Sequence, residues 1–414
     1  GLPRRAEFTA LAGQVLSDAA FLPEHEAWTV VRSPDRFVVH ASGPAGGAAV
    51  PGASLVLAPG AYDRQLPFPG WDLPGVYTAG AAQALAKEHG VAVGKRVVVG
   101  GTGPFLLPVA AGLAARGVEV EGVYEAGNPA GWLEHPRALS GAGGKVVEAA
   151  RYGATIARHR VRYRTRHAVV AAEGDGRVEA VTVARVDDGW AVVPGSSRTV
   201  ECDALAVGWG FAPRLELPLA VGCATRTGLD GSLVVAVDDR QAADVPGVFV
   251  AGEACGVGGA DLAMAEGEVA GLAAAERLGR WTAWPDGLWQ RRAALRRFAA
   301  AMHRVHPVRP GWQGWLRDDT VVCRCEEVTV AAVEGAARDL GASDSRSVKL
   351  FTRAGMGWCQ GRMCGYAVSR LSVPGTGRPA DERGVAARPL AVPVRLGDLA
   401  QGGVRQRQEQ GDEA

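Results

Sequence analysis

Four of the seven cysteines fall in one short stretch, as Cys323-Arg-Cys325 and, a helix-length later, Cys359-Gln-Gly-Arg-Met-Cys364. Two close pairs at this separation can each bring two thiolates to one site. A [2Fe-2S] cluster takes four thiolates, two per iron. A structural zinc also takes four, but usually from C-x₂₋₄-C pairs at both ends, and C-x-C is tight around one tetrahedral ion. Disulfides are a third use of paired cysteines; here the other three cysteines are scattered singly, unlike a disulfide framework. The spacing favours iron–sulfur, with zinc as the alternative. Gly355, Gly357, Gly361 and Gly365 supply backbone that can pack closely and aim N–H groups at sulfur. Residues 329–340 between the pairs read as a helix, with Thr329 as N-cap and Gly341 at C′.

Two glycine–acid corners suggest nucleotide chemistry. Residues 96–100 form an apolar run, followed by Gly101-Thr-Gly103-Pro-Phe-Leu106, a helix over 106–116, a strand over 118–124 and Glu125. This is a Rossmann opening. The glycines allow a tight turn beneath a pyrophosphate, and the acid can bind a ribose. Leu106 stands where a third glycine would let helix and strand approach, so a Rossmann domain is expected and NAD(P) is not. The second corner is residues 246–253, a strand ending in Gly252-Glu253. Gly256, Gly258, Gly259 and a helix over 261–278 follow. An acid there can accept from ribitol hydroxyls, and the first turn of that helix, with Ala263 and Met264, can face the electron-rich edge of a flavin. Cys255 reads as a small buried thiol. With no C-x₄-C beside a flavin motif, disulfide reduction is not expected.

The elements that carry these corners are short strands and helices in alternation. Residues 27–32 and 36–41 read as a hairpin around Ser33-Pro34-Asp35, and 54–58 as a buried strand. A proline-rich connector leads to Thr78, a candidate cap for a helix over 79–89. Residues 55–60 and 205–210 look like two strand-to-glycine crossings between nucleotide domains, and Gly60 ends the first. Arginines at 158, 160, 162, 164 and 166 alternate, which predicts one solvated face of an extended segment. Residues 177–186 and 189–193 read as a hairpin, residues 7–17 as a helical patch, and 280–305 as a basic helix with Leu288, Leu295, Phe298 and Met302 on one face. Residues 97–115 are uncharged over nearly a membrane span, but their glycines and prolines suit a strand, turn and helix. Net charge is +1, so no global field points to nucleic acid or a membrane surface. The chain is long enough for several cores.

Val-Val-Cys323-Arg-Cys325-Glu-Glu-Val-Thr, with residues 348–365, resembles the small [2Fe-2S] domain of bacterioferritin-associated ferredoxins, in the form fused to flavoprotein dehydrogenase α subunits. The second pair is C-x₄-C, as in fused forms. With Gly60-Ala-Tyr-Asp-Arg64, Gly70-Trp-Asp-Leu-Pro-Gly75 and Ala251-Gly-Glu-Ala-Cys255, nearly the whole chain resembles the α subunits of heteromeric flavin/[2Fe-2S] dehydrogenases of amino and imino acids. This is the opine oxidase, D-hydroxyproline dehydrogenase and hydrogen cyanide synthase type.

The resemblance implies an α/β, glutathione-reductase-like fold with two dinucleotide-binding domains and a small helical C-terminal [2Fe-2S] domain. It divides the chain into 1–90 with 230–279 (FAD-binding-like, partial), 91–229 (NAD(P)-binding-like, inserted), 280–318 (helical linker), 319–373 ([2Fe-2S]) and 374–414 (an extended arm, on a partner or disordered). Implied ligands are Cys323, Cys325, Cys359 and Cys364 for the cluster, and Gly60, Gly101, Gly103, Glu125, Gly252, Glu253, Ala263 and Met264 for nucleotides. The implied cofactors are [2Fe-2S] and FAD. No G-x-G-x-x-G precedes Gly101, so the expectation is a chain lacking roughly a first βαβ unit. The implied partners are a glycine-oxidase-like, FAD-dependent β subunit, and with it a small ferredoxin-like subunit; no nucleic acid and no transmembrane segment are expected. The location implied is cytoplasmic, including a peripheral place at the inner face of the membrane. Electrons would pass from the partner's flavin through this chain to a respiratory-type acceptor. The rival classes are a non-catalytic cluster-bearing scaffold and a standalone NAD(P)H-dependent flavin reductase.

Overall fold

The computed structural model describes residues 9–10, 12–14, 19–280, 283–372 and 390–400. Its centre is a parallel sheet in the order Val76–Thr78, Ala204–Gly208, Arg96–Gly101, Glu119–Glu125, Tyr163–Thr165. Its inner strands Ala204–Gly208 and Arg96–Gly101 are almost continuously apolar because both faces are covered. Val97 and Val99 face one way, into the helices Ala79–Glu88, Leu106–Ala114 and Gly143–Arg158. Val98 faces the other, onto the antiparallel sheet His167–Glu173, Ala180–Arg185, Arg198–Glu201. Ala204 and Ala206 against Leu205 and Val207 repeat the alternation. Each fully buried Val or Leu contributes roughly 1.5–3 kcal/mol relative to exposure. Residues 97–115 are thus a strand, a turn and a short helix, and among the described residues no helix is long and apolar enough to cross a membrane.

A second body carries the other corner. Strands Glu26–Arg32, Phe37–Gly43 and Gly46–Gly52 form an antiparallel sheet, the first two being the expected hairpin. Leu55–Leu57 pairs in parallel with Val248–Val250, which leads to Gly252. The two crossings run side by side: Ala61–Asp63 pairs antiparallel with Phe211–Pro213. The amide of Arg64 donates to the Gly210 carbonyl (2.9 Å), and that of Arg214 to the Gly60 carbonyl (3.0 Å). Thr78 caps Ala79–Glu88, its hydroxyl accepting from the Ala81 amide.

Four expectations need correction. Val76–Thr78 pairs with Ala204–Gly208, so by hydrogen bonding it and the helix after it belong with residues 91–229, not with 1–90. The arginine run is no continuous extended segment: Arg158 ends the helix Gly143–Arg158, and only Tyr163–Thr165 is strand. Ala180–Arg185 pairs chiefly with His167–Glu173 and Arg198–Glu201, and the expected hairpin with 189–193 shrinks to a Val186–Val192 bridge. The expected arm is partly docked on this same chain: Ala391 donates to the Trp28 carbonyl (2.8 Å) and Arg395 to that of Gly43 (2.9 Å). Residues 373–389 and 401–414, and most of 7–17, lie outside the described residues.

The helix Leu288–Val305 uses its apolar residues in two places. Leu288 and Leu295 pack on Ala265 and Val269, while Phe298 stacks on Trp132 at 5.0 Å. Beyond it lie the helices Val330–Asp339, Ser345–Thr352 and Gly365–Leu371. Thr329 caps the first, Gly341 has φ 69°, and Asp344 closes a capping box with Ser347 on the second. This C-terminal unit is fused to the rest through tryptophans. Trp190, Trp209, Trp312 and Trp315 share one core with Cys323 and Cys364. The Trp71 indole donates to the Val321 carbonyl at 2.6 Å.

Candidate functional site

The four clustered cysteines are brought together, and they meet as two pairs. Cys364 hydrogen bonds to Cys323, and Cys359 to Cys325. Among the described residues no three His, Cys, Asp or Glu groups are arranged to hold a single metal ion. The thiols also interact across the pairs, Cys364 with Cys359 and Cys325 and Cys325 with Cys323, so all four sulfurs lie at one site, the number a [2Fe-2S] centre takes as two per iron. The bond from Cys364 holds the Cys323 thiol down, at about 6, and the amides of Gly355, Glu326 and Cys325 also donate to that sulfur. The Gly355 amide lies 3.5 Å from it. Cys364 is pushed up by the same bond and by burial, and Cys325 by burial. The other three cysteines are ordinary buried thiols: burial pushes Cys202 and Cys255 up to about 12 and Cys223 up to about 11. Only a glycine fits at 357, where a Cβ would lie 2.2 Å from that of Cys325. Gly365 departs from expectation: its amide starts a helix by donating to the Gly361 carbonyl at 2.7 Å.

Arg362, between Cys359 and Cys364, was not singled out by the sequence. It donates to the Tyr62 hydroxyl at 2.7 Å and to the Ala391 carbonyl, and pairs with Glu216 at 2.8 Å. It therefore pins the cysteine loop to the crossing strand Ala61–Asp63. Tyr62 and Glu216 lie far away in sequence, so no local signal could have found them.

At the second corner Gly252 has φ 75° and packs on Ala263, 3.2 Å from where its Cβ would be. The Glu253 carboxylate accepts from the Gly258 (3.1 Å) and Gly259 (2.9 Å) amides, and burial raises its pKa. Cβ atoms at Gly256 and Gly259 would meet nothing within 4 Å, and no side chain caps the helix Ala260–Arg277. This is an open cradle with an acid beside a bare helix N-terminus, and it fits part of a flavin nucleotide site. Met264 is 45% exposed on that helix, and Gly60 has φ 78° with open space at its Cβ. A buried network holds the corner from behind. Glu266 accepts from the Gly252 amide (3.0 Å) and from Arg296 (3.0 Å), and Arg296 also donates to Gln241 (2.6 Å).

The Gly101 corner is built alike, with open space at the Cβ of Gly103 as at Gly256 and Gly259, but its acid is closed off. A Cβ on Gly101 would fall 1.9 Å from the Gly208 carbonyl oxygen, so glycine is required. Glu125 is fully buried. Its carboxylate accepts from the Thr102 hydroxyl (2.7 Å) and from the Gly103 and Gly127 amides (both 2.8 Å). Burial, then Glu125, push the Tyr163 phenol above its usual range, and the phenol hydrogen bonds that carboxylate. His306 accepts from the Trp132 indole at 3.1 Å and turns Nδ1 toward Glu125 at 3.7 Å. A carboxylate committed to these partners is poorly placed to take a ribose. Tyr163, Trp132 and His306 were not foreseen.

Residues 6–281 match the model for pyridine nucleotide-disulphide oxidoreductases, and residues 321–371 the model for the BFD-like [2Fe-2S] binding domain. Hydrogen cyanide synthase subunit HcnB of Pseudomonas protegens is 35% identical over 325 residues, covering 77% of this chain and 69% of that one. An opine oxidase subunit from Agrobacterium tumefaciens is 32% identical over 365 residues, covering 84% and 69%. Among solved structures, an L-proline dehydrogenase from P. horikoshii superposes with a TM-score of 0.68 at 20% identity over 95% of this chain and 68% of that one, a likeness of fold.

Proposed function

Given that this chain belongs to the pyridine nucleotide-disulphide oxidoreductase family and carries a BFD-like [2Fe-2S] domain, we propose that it is the electron-transfer subunit of a complex oxidising an amino or imino acid. At the coarser level it is a subunit of an FAD- and [2Fe-2S]-dependent oxidoreductase. Its relatives are named as subunits, of hydrogen cyanide synthase and opine oxidase, which supports a heteromeric assembly. The substrate would be handled by a partner subunit of the glycine-oxidase type and the electrons delivered to a respiratory-type acceptor.

The observation that carries this reading is the convergence of Cys323, Cys325, Cys359 and Cys364 in a chain that also keeps the open Gly252–Glu253 corner. We assign the four thiols as cluster ligands, and Gly252, Glu253 and Ala263 to the flavin nucleotide. Flavin takes two electrons together and a [2Fe-2S] centre passes one at a time, so the pair supplies a two-to-one conversion when bound. The residues have passive tasks. The Gly355 amide stabilises thiolate charge on Cys323, Arg362 fixes the cysteine loop against Tyr62 and Glu216, and Glu253 orders the glycine turn. The closed Gly101 corner speaks against a standalone NAD(P)H reductase.

The test is an absorption spectrum of anaerobically purified protein, alone and co-expressed with the partner flavoprotein, with iron, zinc and flavin quantified on the same samples. Cluster bands with two irons per chain, and about one flavin in this chain, are expected. Zinc in place of iron would overturn the reading, and cluster bands without flavin in either sample would favour a cluster-bearing scaffold.

A further inference from the structure

The four thiols are not equally placed. Cys323 and Cys364 are buried in the tryptophan core that joins the C-terminal unit to the flavoprotein body. Cys325 is exposed and Cys359 half-buried. Whatever the four thiols hold has one edge against the body and one edge toward solvent.

The solvent edge has an unusual surround. Trp358, next to Cys359, is 81% exposed. Gly357 lies against the Cβ of Cys325 and near the Glu326 carboxylate, so the Trp358 backbone is held beside the exposed thiol. From Glu326 a groove runs between the helices Val330–Asp339 and Ser345–Thr352, lined by Ala332, Ala336, Leu340 and Phe351. Phe351 is 53% and Leu340 57% exposed. Folding of this chain does not require a tryptophan, a phenylalanine and a leucine left in water together. Such patches mark contact surfaces, and Trp and Phe are enriched there.

The charged residues lining the groove are all acidic: Glu326, Glu327 and Asp339. Glu326 pairs with Arg353 and Asp339 with Arg338, and all but Glu326 in these pairs are well exposed. Surface pairs of this kind hold weakly, so an incoming cation can replace the arginine. Arg324, beside Cys325, is exposed but turned over the Trp71 ring at 5.9 Å; the groove itself is apolar with acidic walls and fits an apolar side chain flanked by lysine or arginine.

The geometry points to this face, from Trp358 and Cys325 along the groove to Leu340, as the docking surface for a basic, one-electron protein acceptor. The inference rests on the cluster reading of Cys323, Cys325, Cys359 and Cys364. Electron transfer falls steeply with distance, so an acceptor seated here meets the edge remote from the flavoprotein body. Weak redox encounters of this type use small interfaces, and their on-rates are set by rim charge.

The test uses the full chain, reduced anaerobically with dithionite and mixed in stopped flow with one of two probes. Cytochrome c is lysine-rich and must dock; ferricyanide is small and needs no groove. Each event with cytochrome c turns one ferric haem ferrous and removes one electron from the chain. Trp358→Ser and Phe351→Ser are expected to lower the second-order rate with cytochrome c about tenfold, while the rate with ferricyanide and the visible cluster bands stay within about twofold of wild type. Glu327→Lys should lower the cytochrome c rate and flatten its decline with salt. A second readout is independent of turnover: cytochrome c should protect residues 326–340 and 350–358 from hydrogen exchange in the oxidised chain.

Unchanged cytochrome c rates in all three variants would overturn the proposal. So would equal losses with both probes, or a Trp358-dependent reduction of quinone in anionic vesicles without one of cytochrome c. Absence of cluster bands from the wild type would remove the cluster reading itself, a failure recognisable apart from the others.

Discussion

The Gly101 and Gly252 corners are the same device used twice, with opposite outcomes. In each, a strand ends at a glycine of positive φ and a glutamate accepts from glycine amides. At the first corner the glutamate is sealed under Tyr163 and beside His306, and its oxygens are saturated. At the second the glutamate borders open space at Gly256 and Gly259. One corner spends its acid on folding, and the other keeps a half-open acid next to a bare helix end. A glycine–acid motif therefore indicates fold in both places, and the two differ in how far the acid's oxygens are already taken.

The largest effect should come from Glu125→Ala. It strands a buried hydroxyl, a buried amide and a part-buried one, each costing about 1–3 kcal/mol when unsatisfied, so urea unfolding should lose roughly 3 kcal/mol or more. Flavin content should be untouched. Unchanged stability would mean that the first corner is not structural.

Glu253→Ala should do the reverse. Its amides are nearer solvent, so the stability loss should be about 1–2 kcal/mol. Bound flavin, quantified after anaerobic purification, should fall roughly tenfold, as expected for a lost hydrogen bond to a charged group. Equal flavin losses in the two variants would erase the distinction between the corners.

The smallest effect is in pH dependence. Burial raises the carboxyls of Glu253 and Glu266 above the usual carboxylate range. The folded state therefore favours their protonated forms. Their contribution to stability is complete below the ordinary glutamate value and is lost as pH rises through the raised values. Asp230 runs the other way. Burial works against its charge, but the buried Arg64 guanidinium, His303 and the Ser232 amide together outweigh this and hold it low, so its contribution appears above the ordinary aspartate value and is lost on acidification. Denaturant midpoints should show a less positive slope below about pH 5 in Asp230→Asn, and a less negative slope above about pH 4 in Glu253→Gln.

Much of this could be read from local pattern. Thr78 and Thr329 were legible as caps because the cap bond is made within three residues. The apolar run before Gly101 and the paired cysteines were legible because strand period and ligand spacing are local. The alternating arginines misled because a period of two is weak evidence when the first of them ends a helix that opens on Gly143 and Gly144, without a side-chain cap. Glu125 was read as a ribose ligand, but its true partners are assembled only by the parallel pairing of Glu119–Glu125 with Tyr163–Thr165 and by a histidine from the far end of another helix. Arg362 was silent for the same reason, its Tyr62 partner being 300 positions away.

That span has a kinetic meaning. Contacts between residues remote in sequence form late, after the loop between them has closed. The cysteine loop is fastened to Tyr62 and Glu216, made early in synthesis, and to the carbonyl of Ala391, which follows Cys364. On the ribosome all four thiols emerge before the last fastening can be made. The order of the chain thus makes the Ala391 fastening the last of the three to become available, after all four clustered cysteines have been synthesised.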